Sequence, residues 1–320
     1  MMTDESENLD PKFPEPNTRP VGGTEYSWCK AVPSGTGITV LGVLLSKPPD
    51  IPTFQNALRK LQNSHHILRS KLRLDITNNT FSFLTHPTPY LQITPFDLQS
   101  TSLIIKKSES NTYHISPFHL LHEHELNQNT WRDHNHSLST GFEVFCASIY
   151  TISETQWALF LRLHTSVCDR AAAVAILREL FGQLGNNVNG RGSESERTEM
   201  VLRDENEISL GIEDLIPAGK ANKPFWARGL DVLGYSLNSL RLSNLDFKDT
   251  DSTRGSHVVR LQMSPYETER LLAECKSREI KLCGTLAAAG MLAAHSSKHL
   301  PDHQREKYAV VTLVDLPLDS

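Results

Sequence analysis

Two strand-like stretches joined by a short polar turn, running straight into an alanine-rich helix, fix the centre of whatever this chain builds. In Gln156–His164, Trp157, Leu159, Leu161 and Leu163 alternate with Ala158, Phe160 and Arg162. A period of two along a strand points one of those sets toward a core. The stretch Phe142–Tyr150 is its expected hairpin partner, with Ser153-Glu154-Thr155 as the turn. After His164 come Thr165-Ser166-Val167-Cys168-Asp169-Arg170 and then Ala171–Leu184, which puts Val174, Leu177, Phe181 and Leu184 on a helical stripe and stops at Gly185. A histidine and an aspartate are thereby held on one turn between two rigid elements. That is a good place for a general base and the carboxylate that orders its surroundings.

The flanking segments extend an α/β pattern. Gly37–Leu45 reads as a buried strand ended by Lys47-Pro48-Pro49. Pro52 then opens a helix with Phe54, Leu58 and Leu61 on one face. His65–Leu72 is a helix end passing into a strand, and short strands are expected near Thr80–Leu84 and Leu91–Thr94. From Gly185 to about Pro224 the composition turns to Asn, Gly, Ser, Glu and Arg, as in a linker that packs no core. Phe225–Leu242 reads as a helix. A strand over His257–Gln262, helices over Pro265–Ile280 and Thr285–His299, and a strand over Tyr308–Leu316 complete the expected order.

The turn resembles the His-His-x-x-x-Asp-Gly site of the condensation-domain and alcohol-acetyltransferase group of coenzyme-A-dependent acyltransferases. Leu61-Gln62-Asn63-Ser64-His65-His66-Ile67-Leu68-Arg69 looks like that family's helix and its exit, and the order of elements agrees from Val21 to Asp315. The resemblance implies an α/β fold (α+β in the stricter sense). It would be chloramphenicol-acetyltransferase-like, a mixed sheet flanked by helices over 21–185, with a partly disordered crossover over 186–256. An incomplete second half of the same type would follow over 257–320. Residues 1–20, acidic and proline-rich, are expected to be a disordered tail rather than a secretory signal.

By the same resemblance His164 matches the first histidine, Thr165 stands where the family's second histidine abstracts the acceptor's proton, and Asp169 matches the aspartate that holds the turn. These three are the candidate catalytic residues. Arg170 replaces the glycine. A threonine hydroxyl has no pKa near neutrality and cannot replace imidazole as a base. The late Asp-Phe-Gly-Trp-Gly type motif is absent, so the C-terminal end is expected to be shortened. The implied reaction moves an acyl group from an acyl-CoA co-substrate to a small-molecule alcohol or amine, weakly or not at all. The alternative is a catalytically silent homologue that binds a ligand, or a protein partner through its incomplete second half. No bound cofactor is expected.

Other classes find little support. A net charge of −5 gives no electrostatic case for nucleic acid, and no apolar run reaches the roughly 20 residues of a membrane span. Five scattered cysteines without a Cys-x-x-Cys pair read as reduced thiols of a cytoplasmic protein. The histidines from His114 to His136 include His119-x-x-His122-x-His124, but without defined metal-site spacing they read as a polar, solvent-facing segment, and no metal is expected. Gly-x-Ser-x-Gly, Gly-x-x-x-x-Gly-Lys and Gly-x-Gly-x-x-Gly are missing, which argues against a serine hydrolase, an NTPase and a Rossmann dehydrogenase.

Overall fold

The computed structural model describes residues 17–34, 36–108, 115–129, 131, 141–188, 211, 233 and 255–297. The chain divides into two units, Met1–Ile216 with Arg254–Val259, and Pro217–Thr253 with Arg260–Ser320.

Among the described residues the first unit has two sheets. One is mixed. Its centre is β8 (Gln156–His164), antiparallel to β2 (Ile38–Leu45) and to β7 (Phe145–Ser153), while β5 (Ile93–Phe96) adds parallel to β7. The other is antiparallel, in the order β1 (Asn17–Pro20), β4 (Thr80–Thr85), β3 (Ser70–Asp75), β6 (Phe142–Glu143). The stretch expected as a single strand over 142–150 therefore changes sheets. Phe142 and Glu143 pair with Leu72 and Lys71, Val144 makes the bend, and Phe145 pairs with Leu163. Residues 17–20, placed by sequence in a disordered tail, form β1 instead: the strand pairs with β4, and Arg19 donates to Glu25 of α1 (Gly23–Ala31) at 2.8 Å and lies over the Phe83 ring.

β8 is buried on both faces, not the single one its alternation implied. Leu159, Leu161 and Leu163 join a core with Phe54, Leu58 and Leu61 of α2 (Ile51–Ser64) and with Ala173, Ile176 and Leu180 of α5 (Arg170–Val188). Ala158 and Phe160 join a second core with Tyr150, against α3 (Leu98–Ser108) and Leu121 of α4 (Pro117–Asn127). Helices cover both faces, so apolar residues fill both sets of positions from Trp157 to Leu163 with Arg162 as the exception. On α5 the deepest residues are Ala173, Ile176 and Leu180, with Leu177, Phe181 and Leu184 half-buried beside them. The expected stripe is thus turned, and the helix passes Gly185, a tolerable cost of about 1 kcal/mol.

Neither α3 nor α4 was expected from sequence. Helix α4 holds His119, His122 and His124 of the histidine-rich stretch, yet Leu120, Leu121, Glu123 and Glu125 on it are buried; this part of the stretch packs rather than facing solvent, and His114, His134 and His136 lie outside the described residues. Gly42 of β2 makes room for it. A Cβ there would lie 2.5 Å from Phe160 and 2.8 Å from Phe118, whose rings stack at 5.3 Å.

The expected strand at His257–Gln262 is absent; among the described residues Gly255–Ser264 forms no strand. Its first residues are instead held by α4. The Asn127 amide donates to Ser256 O (2.7 Å) and its Oδ1 accepts from Ser256 N (2.7 Å), while Glu123 accepts from Val258 N (2.9 Å) and meets His257 Nδ1 at 3.0 Å. In the second unit, α6 (Pro265–Ser277) starts in a capping box in which Ser264 and Glu267 satisfy each other's backbone N–H. The following α7 (Leu282–Ser297) buries none of its side chains. No described helix is long and apolar enough to cross a membrane. The sequence-expected helix at 225–242 (Leu233 apart) and strand at 308–316 lie outside the described residues.

Candidate active site

The turn is positioned by the last pairing of β2 with β8, Ile38 opposite His164. Gly37, just before β2, adopts φ +73, a left-handed conformation that glycine takes without strain. Its carbonyl receives both donors of Thr165: the backbone N–H at 3.0 Å and the side-chain hydroxyl at 2.5 Å. The hydroxyl proton of Thr165 is thus committed to the backbone.

His164 lies on the opposite face of the strand, fully buried. Its N–H donates to Val144 O at 2.9 Å. Ring atom Nδ1 accepts from Ser166 N at 3.2 Å and sits 2.7 Å from Ser166 Oγ. A backbone N–H only donates, so Nδ1 carries no proton and the neutral ring is the Nε2–H tautomer. Nε2 has no hydrogen-bond partner among the described residues, and the Trp131 indole stands perpendicular to the ring at 5.2 Å. Burial pushes the His164 pKa down to about 4. An imidazole with Nδ1 occupied and Nε2 protonated is a donor, not a base.

Asp169 is exposed. Its Oδ1 accepts from Ala172 N at 2.7 Å and its carbonyl from Ala173 N at 3.0 Å, which makes it the cap of α5. Arg170, the first residue of that helix, is also exposed. The structure therefore brings the three candidates onto one turn and sends them in separate directions: Thr165 to Gly37, His164 inward, Asp169 to the helix.

Sequence reasoning missed Ser166 and the polar cluster beyond it. Burial pushes the Cys29 thiol up to about 12, partly offset by a hydrogen bond with Ser166; burial and the nearby Asp169 charge push Cys168 up to about 12. Neither is an activated thiolate. On the His164 face of β8, Arg162 donates to Glu125 Oε2 at 2.9 Å, Tyr150 O–H donates to Glu125 Oε1 at 2.6 Å, and the guanidinium lies 5.9 Å from the Trp131 ring. The indole N–H in turn donates to Glu143 O at 2.9 Å. One signal was available: an arginine inside an apolar alternation needs a buried carboxylate, and the nearest unassigned acids were in the histidine-rich stretch.

Of that stretch, His119, His122 and His124 are described and have separate neighbours. His119 Nδ1 meets Ser116 Oγ at 2.7 Å, His122 packs on Phe118 and Phe160, and His124 lies against Tyr150. Among the described residues no three His, Cys, Asp or Glu side chains form a metal set. At the α2 exit, His65 Nε2 meets Glu179 Oε2 of α5 at 2.7 Å, and Arg69 donates to Pro87 O at 2.8 Å.

No protein-family model matches the chain, and no curated protein matches it. Among solved structures it overlaps the starter condensation domain of rhizomide synthetase RzmA at 13% identity and TM-score 0.41, covering 54% of this chain and 40% of that one. A double mutant of that domain, in complex with C8-CoA and Leu-SNAC, overlaps at 14% identity and TM-score 0.44, covering 73% and 48%. The complex of the X-domain and OxyB from teicoplanin biosynthesis gives 13%, 0.36, 59% and 36%. The chain spans less than half the length of each. Overlap at these scores carries no argument about chemistry, which rests on the side chains above.

Proposed function

We propose that the chain is an acyltransferase-type scaffold of the condensation-domain group whose histidine turn no longer transfers protons. It acts by binding an acyl thioester or a protein partner without turning the thioester over. The chloramphenicol-acetyltransferase-like first half is part of the same reading. One observation carries it. The hydroxyl of Thr165 is spent on Gly37 O, while the adjacent His164 is a buried, neutral Nε2–H ring. General-base assistance is worth roughly 10²–10⁴-fold in rate, and no side chain on this turn is arranged to give it.

The test is release of free coenzyme A from a panel of acyl-CoA donors with alcohol and amine acceptors, comparing wild type with Asp169→Ala. The expected result is no release above the buffer rate for either protein, with acyl-CoA binding measured separately by calorimetry. Turnover by the wild type that falls with Asp169→Ala overturns the silent reading and restores a working acyltransferase.

A further inference from the structure

The mixed sheet has a second end. Trp157 is the second residue of β8 and His164 its last, seven residues apart, or about 23 Å at the rise of a strand. At the Trp157 end lies a cleft of about 470 Å³, walled by parts of β5, β7 and β8, the start of α3 and the connection from β2 into α2. That volume falls within the range of small-molecule sites. Nothing in the reading of the His164 turn uses it.

The walls are rigid and aromatic. Three prolines, Pro48, Pro49 and Pro95, line the cleft beside Trp157 and Phe96. Proline has little freedom to lose when a ligand arrives. The Phe96 ring is fixed from behind by Tyr150, stacked at 4.4 Å and 8°, and Tyr150 is itself buried and bonded to Glu125. A flat apolar body would meet surfaces that are already in place.

The charge is one-sided. Among the described residues Asp97 is the one charged residue in the lining; Lys47 and Asp50 line the adjoining groove with Pro48 and Pro49. Asp97 Oδ1 accepts from Ser100 N at 2.8 Å and from Ser100 Oγ at 2.6 Å. These bonds hold the carboxyl below its usual range, so it is ionised at neutral pH. They also answer the positive start of α3 with a charge from the chain itself, which removes the ordinary reason for an anion to bind there. A cation beside an indole face is favoured further by the ring quadrupole.

We propose that this cleft binds an aromatic amine, its flat body between Trp157, Phe96 and the prolines and its ammonium group toward Asp97. Tryptamine is the probe, with indole and indole-3-acetate as the neutral and anionic controls. Binding to the full chain is followed by calorimetry and by ligand-observed NMR at low and high salt. Asp97→Asn removes the charge and keeps a good helix cap, so it separates binding from folding; Trp157→Phe keeps an apolar ring.

Tryptamine is expected to bind more tightly than indole, and indole-3-acetate most weakly. Asp97→Asn should weaken tryptamine roughly 2–5-fold, as for an exposed charge pair, and leave indole unchanged. The difference should shrink at high salt. Trp157→Phe should weaken both. No binding of tryptamine at millimolar concentration, equal binding to Asp97→Asn, or tighter binding of indole-3-acetate would each overturn the proposal.

Discussion

Replacing Glu125 by alanine is the perturbation with the largest effect that the structure allows to be worked out. The side chains of Glu125 and Arg162 are 2% and 9% exposed, so water does not screen their contact. Removing the carboxylate strands a buried guanidinium, which costs about 3–5 kcal/mol. Tyr150 O–H loses its acceptor as well, for about 1–3 kcal/mol. The two losses share one cavity and overlap, so about 5 kcal/mol is expected for Glu125→Ala, close to the whole stability of an ordinary domain. The triple change Glu125→Leu, Arg162→Met, Tyr150→Phe removes both charges and the phenol together and should cost less than about 2 kcal/mol, because nothing charged is left without a counterpart. Urea unfolding of wild type, single and triple variants measures this, provided the m-values agree. A single variant within 1 kcal/mol of wild type, or a triple as unstable as the single, would refute the reasoning.

The pH dependence of His164 follows from its burial. Its folded pKa of about 4 lies below the ordinary 6.5, so its stabilising contribution is complete above pH 6.5 and is lost as pH falls toward 4. The full loss is about 3 kcal/mol, of which about 2 has gone by pH 5. The stability gap between wild type and His164→Gln should narrow by that amount from pH 7.5 to pH 5 in urea titrations, since His86, His122 and His124 titrate alike in both; a constant gap would contradict it. At Gly42, a methyl group would press on Phe160 and Phe118. Gly42→Ala should therefore lower stability by about 1–3 kcal/mol despite the better strand propensity of alanine, and a neutral or stabilising result would refute the close approach.

Local pattern exposed those elements whose core lies on one side. Helix α2 was legible from Phe54, Leu58 and Leu61, which all join one core. It failed where both sides were covered: β8 looked half-buried because Arg162 interrupts one face, and only the fold supplies Glu125 to pair it. Helix α4 was hidden by His119, His122 and His124, which mask Leu120, Leu121 and two inward carboxylates. The sheet change at Val144 left no mark, since neither glycine nor proline stands at the bend. At the turn, the spacing of His164, Thr165 and Asp169 was visible, but their directions were not. Those depend on the Gly37 carbonyl, supplied from 128 residues away, and on Ser166, whose N–H decides the tautomer.

The state of the His164 ring can be read directly from imidazole nitrogen shifts of the ¹⁵N-histidine-labelled protein, assigned with His164→Gln. A protonated Nε2 beside an unprotonated Nδ1, unchanged between pH 8 and pH 5.5, is the pattern expected of a structural ring. An unprotonated Nε2 that titrates between pH 6 and 7 would mean a working base sits on this turn, and the silent reading would fall.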